Sequence, residues 1–466
     1  MSSKTLDVFV QHYRSIFCCL LLFSLTACSS NSLFVSYPYQ IQPHKQALNT
    51  SKPQAGLDEL TVNISGNDGL LYAQESGRIA QISGDFAKSQ QLYHDAINAY
   101  LYFDNQATIS ASDLGANASS LLLNDNAIPY KGASYERIML HQYQALNYLF
   151  QKKYQGALVE VRRANQLQQT EQNKYAQSKR AVRKLANGAV DAEINRLSRT
   201  SGSVTSSFLN AYSFYLTGLI HEILGEPNDA FIDYRKAAQI WPQNHFVGKD
   251  LVRLAKQLAM PQYDQFKHRW GDVQGPATNQ GEVIILYESN FVPQKQSFTV
   301  PFPIDGYVQS ISLATYQNNP FLPTTASISG LPITLAAESI TNIGDLAINA
   351  LKEDMPLALA RQAARVYAKW RLGQHVDRHK NQNEWDLSSV AVQLFNVVTE
   401  QADLRSWLTL PAQAQIARQY VAQGSYNIAI SGSKQHNIQV KARHKTLVWA
   451  INTGYITRFY SILIPN

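Results

Sequence analysis

Cysteine is nearly missing from this 466-residue chain: there are three, Cys18, Cys19 and Cys28, and none beyond Cys28. A disulfide framework, a thiolate metal cluster and a cysteine nucleophile are therefore excluded from everything that follows Cys28. Long apolar runs are missing as well. The most apolar stretch, Ile16 to Ala27, falls well short of the ~20 residues that a membrane-crossing helix needs. No Gly-x-Ser-x-Gly elbow, no Gly-x-x-x-x-Gly-Lys loop and no Gly-x-Gly-x-x-Gly turn occurs, which removes the common acyl-transfer and phosphate-loop chemistries. A Ser-x-x-Lys spacing, Ser431 to Lys434, falls in a polar turn between two predicted strands.

What is present begins with that short apolar run. It is preceded by Lys4 and Arg14 and ends in Leu25-Thr26-Ala27-Cys28. A weakly basic start, a short apolar core and small residues at the end are the parts of an export signal. The last four residues resemble the bacterial lipobox, in which the cysteine is acylated and becomes the first residue after cleavage. The resemblance implies a signal peptide over 1–27, lipidation at Cys28 and an acyl (palmitate-type) anchor in membrane lipid. Ser29 stands where an aspartate would retain a lipoprotein in the inner membrane, so the resemblance implies an outer-membrane location. Several acyl chains anchor firmly, at ~0.8 kcal/mol per buried CH₂.

Residues 28–65 are rich in Ser, Asn, Gln and Pro without a lasting period, and read as a flexible tether. Over 66–270 apolar and small residues recur at helical spacing. In "FYLTGLIHEILGEPNDAFIDYRKAAQIWP", Gly218 lets two helices approach, Gly225-Glu226-Pro227 makes the turn, Ala230, Tyr234 and Ala237 face the first helix, and Pro242 ends the second. The same register gives Gly77, Gly84, Phe86, Ser89, Tyr93 and Ala96 in one earlier segment. It gives Ala145, Tyr148, Tyr154, Ala157, Val161 and Ala164 in another. These segments resemble tetratricopeptide units, antiparallel helix pairs that stack through small residues. Ser89, Ala157 and Ala230 are 68 and 73 residues apart, so the units are not contiguous 34-residue repeats.

From Lys152 to Arg199 there are 11 Lys/Arg against 4 Asp/Glu, a stretch that carries the basic excess of the whole chain. It reads as long helices with one narrow buried stripe and a solvated basic face. Nucleic acid is not an expected partner of an exported protein.

A Gly/Pro/Asn break, "RWGDVQGPATNQGEV", separates the helices from a second region, 278–466. There "EVIILYES", "QSFTVPFP" and "GYVQSISLATY" read as strands, the stretch after Asn342 as a long helix, "SSVAVQLFNVVTEQA" as another, and 425–464 as three or four antiparallel strands. The fold class is thus multidomain: an α-helical tetratricopeptide-like repeat stack followed by an α+β domain with antiparallel strands. "GEVIILYESNFVPQKQ", the Arg361/Arg365/Lys369 helix and "ADLRSWLTLPAQAQIAR" followed by "GSYNIAI" resemble an uncharacterised family of proteobacterial lipoproteins. That resemblance implies an architecture and no activity.

Few residues here suggest chemistry. His375 and His379 are four apart, as in zinc helices, but lack the glutamate and sit in a polar stretch, so no metal and no cofactor are expected. His94, His141 and His221 read as packing or surface residues. Glu288, Glu338, Asp345, Glu353 and Asp403 are carboxylates of the second region whose convergence a glycosidase would require. The densest constellation is Asp403, Arg405, Trp407, Pro411 and Arg418. We expect Asp403 to pair with Lys295 and Arg405 with Glu288, closing the domain around Trp407. The other reading of the same cluster is a small pocket for a carboxylate or sugar. The expectation overall is a non-enzymatic, outer-membrane-anchored scaffold or assembly factor that binds an unidentified envelope protein. The alternative is a periplasm-facing ligand-binding or hydrolytic protein with its site in 280–466.

Overall fold

The computed structural model describes residues 35–109, 125–182, 188–201, 206–304, 307–317, 324–377 and 401–465. Cys28, the signal segment, His379 and most of the helix expected over 388–402 lie outside them. Among the described residues no helix is long and apolar enough to cross a membrane.

The tether expected over 28–65 gives way to folded chain from Tyr37. Helix α1 (Tyr37–Ala47) buries Tyr37 and Ile41, α2 (Leu57–Val62) buries Leu57 and Leu60, and Leu48 between them is fully covered. Tyr37, Ile41, His44 and Leu48 form a stripe at i, i+4, i+7 and i+11, one helical face hidden among polar residues. Arg458 fixes the end of α1 by donating to the Leu48 and Thr50 carbonyls at 2.6 and 2.9 Å.

Three hairpins follow: α3 (Gly69–Ile82) with α4 (Phe86–Ile109), α5 (Ser134–Phe150) with α6 (Tyr154–Val182), and, after α7 (Gly188–Thr200), α8 (Ala211–Ile223) with α9 (Pro227–Ile240). Each is closed by a ring lying on a glycine. A Cβ at Gly77 would stand 2.4 Å from Tyr93, one at Gly218 2.6 Å from Tyr234, and one at Gly156 2.8 Å from Tyr148. Ala96, Ala157, Ala230 and Ala237 are fully buried in these contacts. The turns share a left-handed residue: Gly84 at φ 86°, Gly225 at φ 74° and, in the middle hairpin, Lys152 at φ 60°. A side chain in that region costs about 1–2 kcal/mol, part of which glycine returns as unfolded-chain entropy. Lys152→Gly should therefore stabilise the protein by about 0.5–1 kcal/mol in urea titrations.

Helices α10 (His245–Gln257) and α11 (Tyr263–Trp270) lead into a sheet region. Five strands line up as β11-β10-β1-β7-β6: Thr457–Pro465, His444–Asn452, Gln280–Ser289, Gln413–Ala422 and Glu338–Asn342. All its pairs are antiparallel except β1 with β10, which run parallel. A second sheet stacks β5-β4-β8-β9 (Leu335–Ala336, Ser327–Ser329, Gly424–Ile430, His436–Val440), and β2 (Gln296–Ile304) pairs with β3 (Tyr307–Thr315). The three or four antiparallel strands expected to end the chain are four, β8 to β11, split between two sheets. Helix α12 (Ile343–Asp377) follows β6.

Strand period assigns the two faces of the central sheet. Ile284, Leu286, Leu447, Trp449 and Ile416 join the helices in one apolar cluster. Val283, Ile285, Val448, Ala450 and Ala417 join Ile328, Ile430 and Ile438 of the small sheet in another. The molecule is layered as helix, sheet, sheet. The helical and strand regions, expected as separate domains, bury one continuous cluster that runs from Tyr37 to Ile464. The cause is that β1 and β10 are apolar on both faces, so the sheet requires a cover on each side.

Candidate functional site

The first helix of each hairpin, α3, α5 and α8, turns toward the sheet. This is the side that a scaffold would offer to a partner. Here α8 meets β6 and β1 through Tyr212, while the chain lays its own residues 401–412, the segment that leads into β7, against α3 and α5. Two buried carboxylates hold its backbone. Glu136 of α5 accepts from the Trp407 N–H at 2.8 Å, and Glu75 of α3 accepts from the N–H groups of Leu408 at 2.6 Å and Thr409 at 3.1 Å. The Thr409 hydroxyl also donates to Glu75, and the Tyr130 and Tyr135 hydroxyls donate to Glu136 at 2.7 and 3.1 Å. Trp407 stands edge-on to Tyr93 and Tyr143, with centroids 5.8 and 6.0 Å away. Charge-assisted bonds to successive amides both satisfy and orient an irregular backbone that water cannot reach.

Burial pushes the Glu75 carboxyl up to about 7, against the pull of its hydrogen bonds and of Lys45. Burial raises Glu136 as well. A carboxyl whose folded pKa lies above its unfolded value holds a proton that the unfolded chain has already lost, so stability falls as pH rises between the two values. For Glu75 that window runs from about 4.5 to about 7. Glu75→Gln has no such proton to lose. Its stability relative to the native chain should improve between pH 5 and pH 8, on the order of 1–2 kcal/mol by chemical denaturation at the two values.

The residues singled out from sequence separate into two places. Asp403, Arg405 and Lys295 meet. Arg405 donates to Asp403 Oδ2 at 2.8 Å and to Asp68 Oδ1 at 2.9 Å, and Lys295 Nζ donates to the Arg405 carbonyl at 2.8 Å. Two further Arg405 bonds reach the carbonyls of Asp125 and Ile128. Burial acts to raise the Asp403 carboxyl, but Arg405 outweighs it and holds it below its usual range. The expected Asp403–Lys295 pair is thus replaced by Asp403–Arg405, with Lys295 close enough to add to the field. The expected Arg405–Glu288 pair is not formed. Glu288 points from β1 into the helices, where it takes Arg78 of α3 and accepts from the Tyr212 hydroxyl at 3.1 Å. Arg405 is engaged instead by the acids nearest to it in the folded chain, Asp68 and Asp403.

The other carboxylates do not converge. Glu338 accepts from the His245 N–H, and Glu353 accepts from Ser206 and Ser207. Asp345 has its carboxyl raised to about 6 by burial. Ser431 occupies a tight turn at φ 46°. His141 pairs with Glu160 at 2.6 Å and His221 with Glu226 at 2.6 Å, while His94 is exposed. His221, Glu226 and Asp229 lie within reach of one ion, but Glu226 already takes the Nδ1 of His221 at 2.6 Å and Asp233 stands 3.7 Å from its Nε2.

A second charged cluster joins α8, α10, β1, β7 and β10. Arg418 donates to Asp250 Oδ2 at 2.7 Å and Glu282 Oε1 at 2.9 Å, and Arg253 donates to Glu222 Oε2 at 2.9 Å and Asp250 Oδ1 at 3.2 Å. Lys445 stands 3.5 Å from Glu222. Burial raises both carboxyls, but Arg418 and Arg253 carry Glu222 well below its usual range, whereas Asp250 stays above its own. An open pocket of about 230 Å³ lies beside the cluster, between α10, residues 272–274, β1 and β7.

Glu75, Glu136, Arg78, Glu222, Asp250 and Arg253 were not singled out from sequence. A signal for two of them existed: Glu75 and Arg78 interrupt a helix whose 14 residues are all buried. Charges in such a helix must be paired. A second signal is that Glu282 and Glu288 share the parity of Ile284 and Leu286, which places both on the helix-facing side of β1.

No family model matches the chain, and no curated protein matches it. Among solved structures, the crystal structure of MamA is similar at a TM-score of 0.28 and 9% identity, covering 51% of this chain and 92% of that one. A likeness of that size carries no argument, and the helical hairpins stand on their own geometry.

Proposed function

We propose that this protein is a lipid-anchored scaffold or assembly factor of the cell envelope, held in the outer membrane through Cys28, which binds protein and carries out no catalysis. The lipobox-like Leu25-Thr26-Ala27-Cys28 supports the anchor. The observation that carries the binding role is the outer surface of the hairpins. Their inner side is covered by residues 401–412 and the sheet, yet the second helices carry exposed apolar side chains: Leu101 and Tyr102 on α4, Val159 on α6 and Ile232 on α9. An envelope protein would dock across these outer helices, while the inner segment keeps the stack rigid.

The test is photo-crosslinking in cells from positions 101, 159 and 232 of the full lipidated chain. The same defined envelope protein should be captured from at least two positions. Capture should be lost with Ile232→Asp and redistributed with Cys28→Ala. No shared product, or a product indifferent to Ile232→Asp, would remove the scaffold reading.

A further inference from the structure

The pocket beside the Arg418 cluster has a feature that packing alone does not require. Its back wall is electrically closed: Asp250, Glu282 and Glu222 are matched by Arg418, Arg253 and Lys445 together, and Asp272 lies 3.2 Å from Lys267 and 3.8 Å from Lys256. Its front is not closed. Lys249 lines the pocket, is exposed and has no ion pair among the described residues. Arg253 makes its bonds to Glu222 and Asp250 through Nη2 alone. Its Nε and Nη1 have no protein partner among the described residues, and its side chain is 17% exposed. The Tyr420 hydroxyl, on the same wall, also has no partner there. Burial and Glu282 push that phenol up to about 12, so it remains a donor at neutral pH.

We infer that this pocket binds a small oxyanion ligand through its carboxylate or phosphate group, with Lys249, Arg253 and Tyr420 as the donors. The acids do not repel such a ligand, because each is already neutralised by a base. What faces the opening is one whole charge from Lys249 and the two unused donors of Arg253, Nε and Nη1, each free to give a single charge-assisted hydrogen bond to an oxyanion. Phe246 adds an apolar wall. At about 230 Å³ the space is below that of pockets for drug-sized molecules, ~300–1,000 Å³, so the occupant is a small metabolite or a terminal group of a larger one. The inference is independent of the scaffold reading, since the pocket lies on α10 and the sheet, away from the outer surfaces of α4, α6 and α9.

The experiment is calorimetric titration of the full chain in detergent with succinate and, separately, inorganic phosphate, at constant ionic strength set with chloride. At least one probe should bind saturably at one site. Lys249→Glu should weaken it at least tenfold and Tyr420→Phe a few-fold, while Lys434→Glu, in the turn between β8 and β9, leaves it unchanged. Succinate binding without phosphate identifies a carboxylate ligand, and the reverse a phosphate. No saturable binding of either probe, or equal binding by wild type and Lys249→Glu, overturns the inference.

Discussion

Trp407→Ala is expected to destabilise the protein by about 3–5 kcal/mol, the cost of removing a large buried aromatic side chain and leaving a partly collapsed cavity. Trp407 is fully buried, its indole N–H donates to Thr409 Oγ1 at 3.2 Å, and its ring meets Tyr93 of α4 and Tyr143 of α5. The residue thus touches two hairpins while its own backbone is held by Glu136 and its neighbours' by Glu75. Losing the ring loosens the segment that fixes the helical layer to β7. Trp407→Phe keeps most of the volume and should cost distinctly less. Denaturant midpoints of the three proteins decide the matter. A loss below about 1 kcal/mol for the alanine variant would mean that residues 401–412 are a passive loop.

That segment also marks where the sequence stops being legible. The hairpins can be read because their contacts are local: Gly77 with Tyr93 and Gly218 with Tyr234 are 16 residues apart on adjoining helices, and helical period places both. The strands can be read for a similar reason, since alternation in "EVIILYES" needs no partner. Identity of partners is another matter. Arg405 has Asp68 as one acid and Glu288 as a rejected one, and composition ranks neither, because the choice depends on which helix lies over which strand. The parallel pairing of β1 with β10 joins Glu282 to Lys445 across most of the second region, with no turn motif to announce it. α1 was hidden for yet another reason: a four-residue stripe in a Ser/Gln/Pro background gives a weak period, and its cover comes from other parts of the chain, Tyr72 of α3 against Tyr37 and Arg458 of β11 at its end.

The second large effect concerns Arg78 and Glu288, both fully buried. Removing one member of a buried ion pair costs about 3–5 kcal/mol, because the other charge is left without its counterion in a medium that cannot solvate it. The two deletions should not be equal. After Arg78→Met, Glu288 can take up a proton and keep its bond from the Tyr212 hydroxyl. After Glu288→Leu, the Arg78 guanidinium cannot become neutral. It keeps Gln81 Oε1 at 2.8 Å and the faces of Tyr143 and Trp449 at 4.1 and 5.5 Å, none of them an anion. Glu288→Leu is therefore the costlier variant. The double variant Arg78→Met/Glu288→Leu exchanges two charges for apolar volume and should recover most of the loss. A double-mutant cycle by urea unfolding reads both statements. Strict additivity of the two single losses would show that the pair does not hold α3 to β1.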